Sequence, residues 1–439
     1  MKPSIAVVVL AAGAGTRMKS AIPKVLHELA GWPMLHHVLQ SALQLKPSKV
    51  VGVVAPGAKD VAAAFAPHPT VVQRRPLGTG HAARQALGEL KGHRGPVLVV
   101  FGDAPLITTA TMQRLVDACA RAKAEIGVLG FRASDPTPYG RLIMNGDALE
   151  RIVESKDAVG EERAVNFCNS GVMCLDGALM AGLLAGIGND NVKKEFYLVD
   201  AVAVARRAGH RAIAVEGAEA EFQGINSRAE LAVAEKAMQE RLRAIAFEAG
   251  VTMTDPATVW LAADTRLGRD VTIGPNVRFG PGVTVGPEVE IKAFCDIEGA
   301  RIGKGAIIGP FARIRPGSDV AEDVHIGNFV ELKATKMGRG AKANHLAYLG
   351  DATVGERVNY GAGSITANYD GANKHRTVIG NDVHVGSNCV LIAPITLGDG
   401  ATIGGGSTLS KDAPAGQLTV ARARQASLGG WQRPVKKKG

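Results

Sequence analysis

The stretch RIGKGAIIGPFARIRPGSDVAEDVHIGNFVEL, residues 301–332, carries an aliphatic side chain at every sixth position. These positions are Ile302, Ile308, Ile314, Val320, Ile326 and Leu332. The same spacing occurs upstream, at Leu267, Ile273, Phe279, Val285, Ile291 and Ile297, and downstream, at Ile379, Val385, Leu391, Leu397, Ile403 and Leu409. A hexapeptide period predicts a parallel β-helix, in which each coil is a triangular turn of three short strands and the spaced side chains stack inside.

The six-residue period is lost between Met337 and Val378. Insertions in a repeat protein form loops on one face, and that face is often functional. We therefore expect an insertion here that carries a functional site. The polar residues of this stretch include His345, Tyr348, Asn359, Asn368, Tyr369 and Lys374.

The first half of the chain alternates short apolar runs with helical patterns. The runs are Ile5–Leu10, Val50–Val54, Val97–Phe101 and Ile126–Phe131, and a clear helical pattern spans Thr109–Lys123. This alternation predicts a Rossmann-like α/β domain whose sheet is mostly parallel. In such sheets ligands bind beyond the carboxyl ends of the strands.

A long helix is predicted between the two halves. Arg228–Ala249 contains no Gly or Pro, Ser227 can cap its start with Glu230 completing a capping box, and Gly250 can end it. The predicted divisions are an α/β domain at 1–226, a linker helix at 227–250 and a β-helix domain with a basic tail at 251–439.

The net charge of +10 over 439 residues indicates anionic partners. Apart from the run Lys436–Lys438 the basic residues are scattered, no nucleic-acid-binding motif occurs, and only 4% of residues are aromatic. One alternative hypothesis for the whole chain is a nucleic-acid-binding or scaffold protein that uses its basic charge. We expect small phosphorylated molecules rather than nucleic acid as partners, because stacking aromatics are scarce.

The five cysteines form no Cys-x-x-Cys pair, which fits a reducing compartment and predicts a cytoplasmic protein. The apolar run Ile5–Ala14 after Lys2 has the look of a short signal peptide. We favour a buried strand that leads into a glycine loop. No apolar run is close to the length of about 20 residues that a membrane-spanning helix requires.

The glycine loop lies in Leu10–Met18, directly after the first predicted strand. Gly13 and Gly15 allow backbone N–H groups to approach an anion, although the stretch matches neither Walker A nor the full Gly-x-Gly-x-x-Gly pattern. Arg17 and Lys24 add positive charge that suits a triphosphate.

Asp103 follows the apolar strand Val97–Phe101 after Gly102. A carboxylate at the carboxyl end of a central strand is well placed to hold Mg²⁺ against phosphate oxygens. The alternative is a helix-capping or turn aspartate before Pro105.

These motifs together resemble a known enzyme family. The motif Leu10–Met18 with Pro23-Lys24, Gln73, Gly78-Thr79-Gly80-His81-Ala82 and Phe101-Gly102-Asp103 resembles the signature of sugar-1-phosphate nucleotidylyltransferases. With the hexapeptide half added, nearly the whole chain resembles the bifunctional bacterial N-acetylglucosamine-1-phosphate uridylyltransferases/glucosamine-1-phosphate N-acetyltransferases. The resemblance implies acetyl transfer from acetyl-CoA to glucosamine-1-phosphate, followed by uridylyl transfer from UTP, in the synthesis of UDP-N-acetylglucosamine for peptidoglycan and lipopolysaccharide.

The resemblance also implies roles in the first site. Arg17 and Lys24 would be catalytic and bind phosphates, and Asp103 with Asn226 would hold Mg²⁺. The remaining substrate-binding positions would be Leu10, Ala11, Ala12, Gly13, Gln73, Gly78, Thr79, Phe101, Gly102, Gly140, Glu154 and Asn169. Phe101, Arg74-Arg75-Pro76 and Glu195–Asp200 depart from the family pattern, which bears on nucleotide preference more than on the reaction.

For the second site the resemblance implies that His345 is the general base. An amine must lose a proton to attack a thioester, and histidine ordinarily titrates near neutrality. The sugar phosphate would contact Arg315, Lys333, Tyr348 and Asn359, with Glu331 behind them. Acetyl-CoA would contact Ala362, Asn368, Tyr369, Ser387, Gly405 and Arg422.

The same resemblance implies a left-handed β-helix and a homotrimer with active sites between subunits. The basic tail from Arg422 to Lys438 would meet the phosphates of coenzyme A, and the alternative is a solvated terminus. A second hypothesis for the whole chain is a sugar-1-phosphate nucleotidylyltransferase whose β-helix is only regulatory or oligomerising.

Overall fold

The computed structural model describes residues 4–436. These residues divide into two compact units, with the boundary between Glu240 and Arg241. The residues Lys2, Lys437 and Lys438 considered above lie outside the described part. Among residues 4–436, none of the helices combines the length and apolar character needed to cross a membrane.

The N-terminal unit alternates strands and helices as predicted. Its strands are β1 (Ala6–Ala11), β2 (Glu28–Leu29), β3 (Trp32–Pro33), β4 (Lys49–Val54), β5 (Thr70–Val72), β6 (Pro96–Phe101), β7 (Ile126–Arg132), β8 (Arg141–Asn145), β9 (Ala148–Val153), β10 (Phe167–Asp176) and β11 (Ala212–Glu216). The helices that begin in it are α1 (Met34–Leu43), α2 (Lys59–Ala64), α3 (Thr79–Gln85), α4 (Thr109–Ala122), α5 (Met180–Ala185), α6 (Asp200–Arg207) and α7 (Arg228–Glu248).

The main sheet of this unit has the strand order β11-β7-β10-β6-β1-β4-β5. Along this order the pairs are parallel except at β10, which runs antiparallel to both β6 and β7. Strands β8 and β9 extend the same sheet by antiparallel pairs, β8 with β10 and β9 with β8, so the sheet is mixed. All six residues of β1 are buried because apolar cores cover both of its faces. Since β1 and β6 are parallel neighbours, the loops after Ala11 and Phe101 leave the sheet at the same edge.

The C-terminal unit consists almost entirely of short strands. They are β12 (Thr252–Met253), β13 (Arg266–Leu267), β14 (Thr272–Ile273), β15 (Arg278–Phe279), β16 (Thr284–Val285), β17 (Glu290–Ile291), β18 (Asp296–Ile297), β19 (Arg301–Ile302), β20 (Ile307–Ile308), β21 (Arg313–Ile314), β22 (Asp319–Val320), β23 (His325–Asn328), β24 (Glu331–Lys333), β25 (Lys336–Met337), β26 (Lys342–His345), β27 (Tyr348–Gly350), β28 (Ala352–Val354), β29 (Asn359–Tyr360), β30 (Ile365–Ala367), β31 (Thr377–Ile379), β32 (His384–Val385), β33 (Val390–Ile392), β34 (Ile395–Leu397), β35 (Thr402–Ile403), β36 (Thr408–Leu409) and β37 (Leu418–Thr419).

Between β13 and β36, strands that lie three places apart along the chain pair in parallel, which produces the three faces of a β-helix. The pairs β12-β14 and β35-β37 complete the first face at its two ends. The first face is β12-β14-β17-β20-β23-β26-β29-β32-β35-β37, the second is β13-β16-β19-β22-β25-β28-β31-β34, and the third is β15-β18-β21-β24-β27-β30-β33-β36. The predicted aliphatic positions stack in register, as in the pairs Ile308–Ile326 and Ile314–Leu332. These side chains are buried, and the predicted two-part fold is confirmed.

The predicted insertion occupies only part of the stretch between Met337 and Val378. Strands β26 to β30 continue the coils in register, and buried Ala343, Leu349, Val354, Tyr360 and Thr366 occupy the interior. Because several of these side chains are small, polar or aromatic, the aliphatic pattern disappears although the fold does not.

The real insertion is a short hairpin on one coil. Asn359 and His384 are register partners 25 residues apart, whereas Arg278 and Asp296 are partners 18 residues apart. The extra residues form the hairpin Asn368–His375, which an antiparallel bridge between Tyr369 and Lys374 closes.

Helix α7 begins and ends near the predicted residues. The Glu230 N–H donates to Ser227 Oγ at 3.2 Å, and Glu230 Oε2 accepts from the Asn226 N–H at 2.6 Å, one residue before the expected partner. Gly250, with φ of 87°, is in the left-handed conformation that ends helices. The division between the two units falls within this helix.

Shortening an interior side chain should destabilise the β-helix. Ile326 is fully buried, so Ile326→Ala should lower the free energy of unfolding of this unit by about 2–5 kcal/mol. Faster hydrogen exchange of protected amides in the surrounding coils measures the loss. Val378→Ala, at a site 38% exposed, is the control and should change stability by about 0.5 kcal/mol or less. Equal effects of the two substitutions would contradict the stacked core.

Candidate active sites

The glycine loop follows β1 at the edge of the sheet. Gly15 has φ of 62°, and a Cβ there would lie 2.6 Å from Lys24 Cβ, so glycine allows the loop to close over Lys24. A Cβ at Gly13 would meet nothing within 4 Å, which leaves open space beside this backbone. Arg17 is exposed next to that space in the turn Thr16–Met18.

Lys24, Asp103 and Asn226 converge from three distant segments. Lys24 Nζ donates to Asp103 Oδ2 and to Asn226 Oδ1, the latter at 3.1 Å. The Lys24 and Asp103 side chains are only 11% and 20% exposed. Helix α4 is capped by Thr108, whose side chain accepts from the Thr111 N–H, so Asp103 is not its cap.

The oxygens around Lys24 have the chemistry of a magnesium site. Asp103 and Asn226 offer a carboxylate and an amide oxygen, and Mg²⁺ typically takes few protein ligands while keeping waters and phosphate oxygens. The Lys24 ammonium between them shows that this point favours positive charge. Among residues 4–436 no group of three or more His, Cys, Asp or Glu side chains forms a metal cluster, so substrate oxygens would have to complete the coordination.

Gln73, Gly78 and Thr79 form one hydrogen-bonded region at the start of α3. Gln73 is buried, and its Nε2 donates to Gly78 O at 3.0 Å and lies 3.1 Å from His81 Nδ1. Gly78 has φ of 106°, and Thr79 Oγ1 accepts from the Leu198 N–H at 2.9 Å. These bonds fix the orientation of the Gln73 amide through its Nε2. Its Oε1 can then accept a hydrogen bond from a ligand.

The predicted sugar-binding residues lie at three neighbouring strands. Gly140 precedes β8, Glu154 follows β9 and Asn169 lies in β10. The Gly140 carbonyl accepts from the Asn169 N–H at 2.8 Å, and Asn169 Oδ1 accepts from the Gly171 N–H at 2.9 Å. Burial raises the pKa of Glu154 above its usual range; Lys193 opposes the shift and Asp157 adds to it. The site therefore holds a carboxyl group that is costly to ionise.

The remaining predicted residues of the first site lie along the ends of β1 and β6. Leu10 and Ala11 are buried, and the Gly102 N–H donates to Leu10 O at 2.9 Å. A Cβ at Gly171 would lie 2.8 Å from the Phe101 ring, so this ring packs across Gly171. Ala12 lies on the half-buried start of the glycine loop.

His345 ends strand β26 on the first face of the β-helix, with an exposed side chain. Its Nδ1 lies 2.8 Å from Asn328 Oδ1, which belongs to the neighbouring coil and is its register partner. Since an amide oxygen only accepts, Nδ1 carries the proton and Nε2 keeps the free lone pair. The ring is thereby oriented as a base.

The predicted sugar-phosphate residues lie on two faces. Arg315 and Lys333 are on the third face, where Arg315 Nη1 donates to Glu331 Oε1 at 2.9 Å. Tyr348 is the register partner of Glu331 on the same face. Asn359 lies instead on the first face, where its amide contacts His384 Nδ1 at 3.2 Å. Asn359 therefore lies on a different face of the β-helix from the other three residues.

The predicted acetyl-CoA residues form a column that continues from His345. The Gly363 N–H donates to His345 O at 3.4 Å, and the next coils repeat this bond between Asn388 and Ala362 and between Gly406 and Ser387. Arg422 Nη1 donates to Gly405 O at 2.6 Å. A Cβ at Gly405 would lie 3.3 Å from Ser387 O, so a side chain at this position would fit tightly.

Asn368 and Tyr369 lie outside that column, in the hairpin. Asn368 Nδ2 donates to Asp351 Oδ2 at 2.5 Å, and Tyr369 is 60% exposed with its hydroxyl on Gly371 O. Beyond Arg422, the described part of the basic tail is exposed.

Known proteins resemble this chain over its whole length. Residues 7–170 match the family model "MobA-like NTP transferase domain", and 264–297, 299–334 and 376–411 match "Bacterial transferase hexapeptide (six repeats)". The "Bifunctional protein GlmU" of Rhodospirillum rubrum is 54% identical over 97% of this chain and 96% of its own. The proteins of that name from Paramagnetospirillum magneticum and Ruegeria sp. are 51% identical, over 97% and 98% of this chain and 95% and 97% of theirs.

The chain belongs to the GlmU family. The predicted family is thereby confirmed, as is the prediction that the chain is a transferase. The hexapeptide family model matches no residues between 334 and 376, where the coils continue without the aliphatic period.

Sequence reasoning missed Asn328 and Asp351 in this GlmU-family chain. Each contacts a predicted site residue from a neighbouring coil, at a separation of 17 residues from His345 and 18 residues from Lys333. Three hexapeptides make one coil of about 18 residues, so the sequence period predicts which residues lie one coil away from His345 and Lys333.

The buried carboxyl of Glu154 predicts a pH-dependent effect on stability. A carboxyl whose pKa is raised by folding opposes folding once it ionises, so the cost is absent below the ordinary pKa of Glu and full above the raised one. Glu154→Gln should therefore raise the thermal unfolding midpoint at about pH 8 but not at about pH 4. Glu161→Gln, at an exposed site of the same unit, is the control and should change neither midpoint. Destabilisation by Glu154→Gln at the higher pH would refute the assignment.

Proposed function

We propose that this chain acetylates glucosamine-1-phosphate with acetyl-CoA and then couples the N-acetylglucosamine-1-phosphate to UTP, with release of pyrophosphate. The observation that carries the proposal is the presence of two separate constellations in one GlmU-family chain. The Lys24, Asp103 and Asn226 group lies in the N-terminal unit, and the His345–Asn328 pair lies in the C-terminal unit.

In the first reaction centre an oxygen of the sugar phosphate attacks the α-phosphorus of UTP, and the bond to the pyrophosphate oxygen breaks. Arg17 and Lys24 hold the phosphates and balance the charge that develops. Bound to Asp103 and Asn226, Mg²⁺ would neutralise phosphate charge and assist the departure of pyrophosphate. Gln73, Gly78 and Thr79 bind the uridine, and Gly140, Glu154 and Asn169 the sugar.

In the second reaction centre the substrate amine attacks the thioester carbon. Nε2 of His345 accepts the amine proton while the N–C bond forms and the C–S bond breaks, which releases coenzyme A. Asn328 holds the ring in the required tautomer. Arg315, Lys333, Tyr348 and Asn359 bind the sugar phosphate. Acetyl-CoA binds along Ala362, Ser387, Gly405 and Arg422, with Asn368 and Tyr369 above them.

We also propose that the enzyme is a cytoplasmic homotrimer. Asn359 lies on a different face from Arg315 and Lys333, so a site that uses all of them needs a face from a second subunit. The five cysteines are free buried thiols, which supports a reducing compartment.

Single substitutions should separate the two activities. His345→Ala should lower acetyl transfer about 10²–10⁴-fold, the usual contribution of a general base, and leave uridylyl transfer unchanged. Asp103→Ala should lower uridylyl transfer about 10²–10³-fold and leave acetyl transfer unchanged. Free thiol from acetyl-CoA and pyrophosphate from UTP report the two reactions.

The same assays on the native chain distinguish the alternatives. Release of pyrophosphate without release of thiol would make the β-helix regulatory or oligomerising. A folded variant that loses both activities through one substitution would contradict the two-site arrangement.

Metal removal should affect only one of the two reactions. Chelation with EDTA is expected to stop pyrophosphate release, because Asp103 and Asn226 would lose the cation, while thiol release continues. Readdition of Mg²⁺ should restore the lost activity. Loss of both reactions under EDTA would contradict the proposed metal site.

A further inference from the structure

The Asp351 carboxylate joins two segments of the second site. Both of its oxygens accept from Lys333 Nζ, at 3.1 and 2.8 Å, and Oδ2 also accepts from Asn368 Nδ2 at 2.5 Å. Lys333 belongs to the neighbouring coil and Asn368 begins the hairpin. Backbone bonds fix Asp351 itself, since its N–H donates to Lys333 O and its carbonyl accepts from the Thr377 N–H.

This ion pair is shielded, unlike others on the β-helix. The Lys333 and Asp351 side chains are 18% and 21% exposed, whereas Arg357 and Asp382 are 56% and 55% exposed. Burial alone would raise the pKa of Asp351, but Lys333 and Asn368 hold it below its usual range. Reduced solvation strengthens the electrostatic attraction between Lys333 and Asp351.

Positive charge exceeds negative charge around Asp351. The positive charge of Lys333 lowers the pKa of Lys374 in the hairpin. Arg315, paired with Glu331, adds to the same field. The surplus suits a phosphate monoester, which would bind against cations that Asp351 keeps in place.

Gly350 allows the hairpin to approach this carboxylate. A Cβ at residue 350 would collide with the Tyr348 hydroxyl and lie 2.7 Å from Asn368 Nδ2. The backbone is therefore built so that Tyr348 and Asn368 meet beside Asp351.

We propose that Asp351 is a positioning residue that couples the binding of the sugar phosphate to the binding of acetyl-CoA. The inference rests on the proposed function, in which Lys333 contacts the first substrate and Asn368 the second. Because Lys333 and Asn368 share one carboxylate, a ligand that immobilises either side chain also restricts Asp351 and, through it, the other side chain. The second ligand then loses less conformational freedom and binds more tightly. By linkage the effect is equal in both directions.

Asp351→Asn tests the coupling. Residue 351 has φ of 50°, a conformation that Asn adopts as readily as Asp, and the amide removes the charge that both partners share. Calorimetry would give the Kd of glucosamine-1-phosphate with and without saturating coenzyme A, which cannot react. The native chain should bind the sugar phosphate about fivefold or more tightly with coenzyme A present. The variant should bind it equally well in both conditions.

Asp382→Asn is the matched control. Asp382 is also a left-handed residue of the β-helix that is paired with a cation, Arg357, but the pair is exposed. Its replacement should leave the coupling at the native value. Asp351→Glu keeps the charge and should retain more coupling than Asp351→Asn. The thermal unfolding midpoint of the β-helix unit reports whether each variant is folded, and pyrophosphate release reports that the N-terminal unit is unaffected.

The outcomes separate this inference from the proposed function. Coupling that persists in folded Asp351→Asn, or that is lost in Asp382→Asn, overturns the role of Asp351. A native chain that binds the two ligands independently overturns the coupling and leaves the proposed function intact. A native chain that binds neither ligand overturns both.

Discussion

The stacking of parallel coils in register is the constraint on which the second half of the molecule depends. Each strand must pair with the strand one coil away, and each interior side chain must meet its equivalent, as Ile308 meets Ile326. The same register places Asn328 beside His345 and Asp351 beside Lys333, so the scaffold itself assembles the polar contacts.

The N-terminal unit brings its polar site residues together in a different way. Parallel neighbours end at one edge of the sheet, so Asp103, 79 residues from Lys24, and Asn226, 202 residues from it, meet the same ammonium group. The two units thus bring polar side chains together in two ways. The N-terminal unit uses the shared carboxyl end of parallel strands, and the β-helix uses neighbouring coils paired in register.

The sequence was sufficient for the architecture where one physical signal dominates. The aliphatic period predicted the coils, and apolar runs predicted β1 and β6. It failed around Tyr360 and Thr366, because a closed interior accepts non-aliphatic side chains that fit. The contacts of Asp351 and the separate face of Asn359 escaped prediction because they depend on pairing between coils, which a linear pattern does not display.

The hairpin Asn368–His375 has a consequence for how such a protein can evolve. Strands β28 and β31 pair in full register across it, from Ala352–Thr377 to Val354–Ile379. The entropy of closing a loop grows only slowly with its length, so the scaffold tolerates extra residues there at small cost. Natural selection can therefore lengthen, shorten or rewrite this segment as a replaceable part, and new acceptor or donor preferences can arise without a new fold.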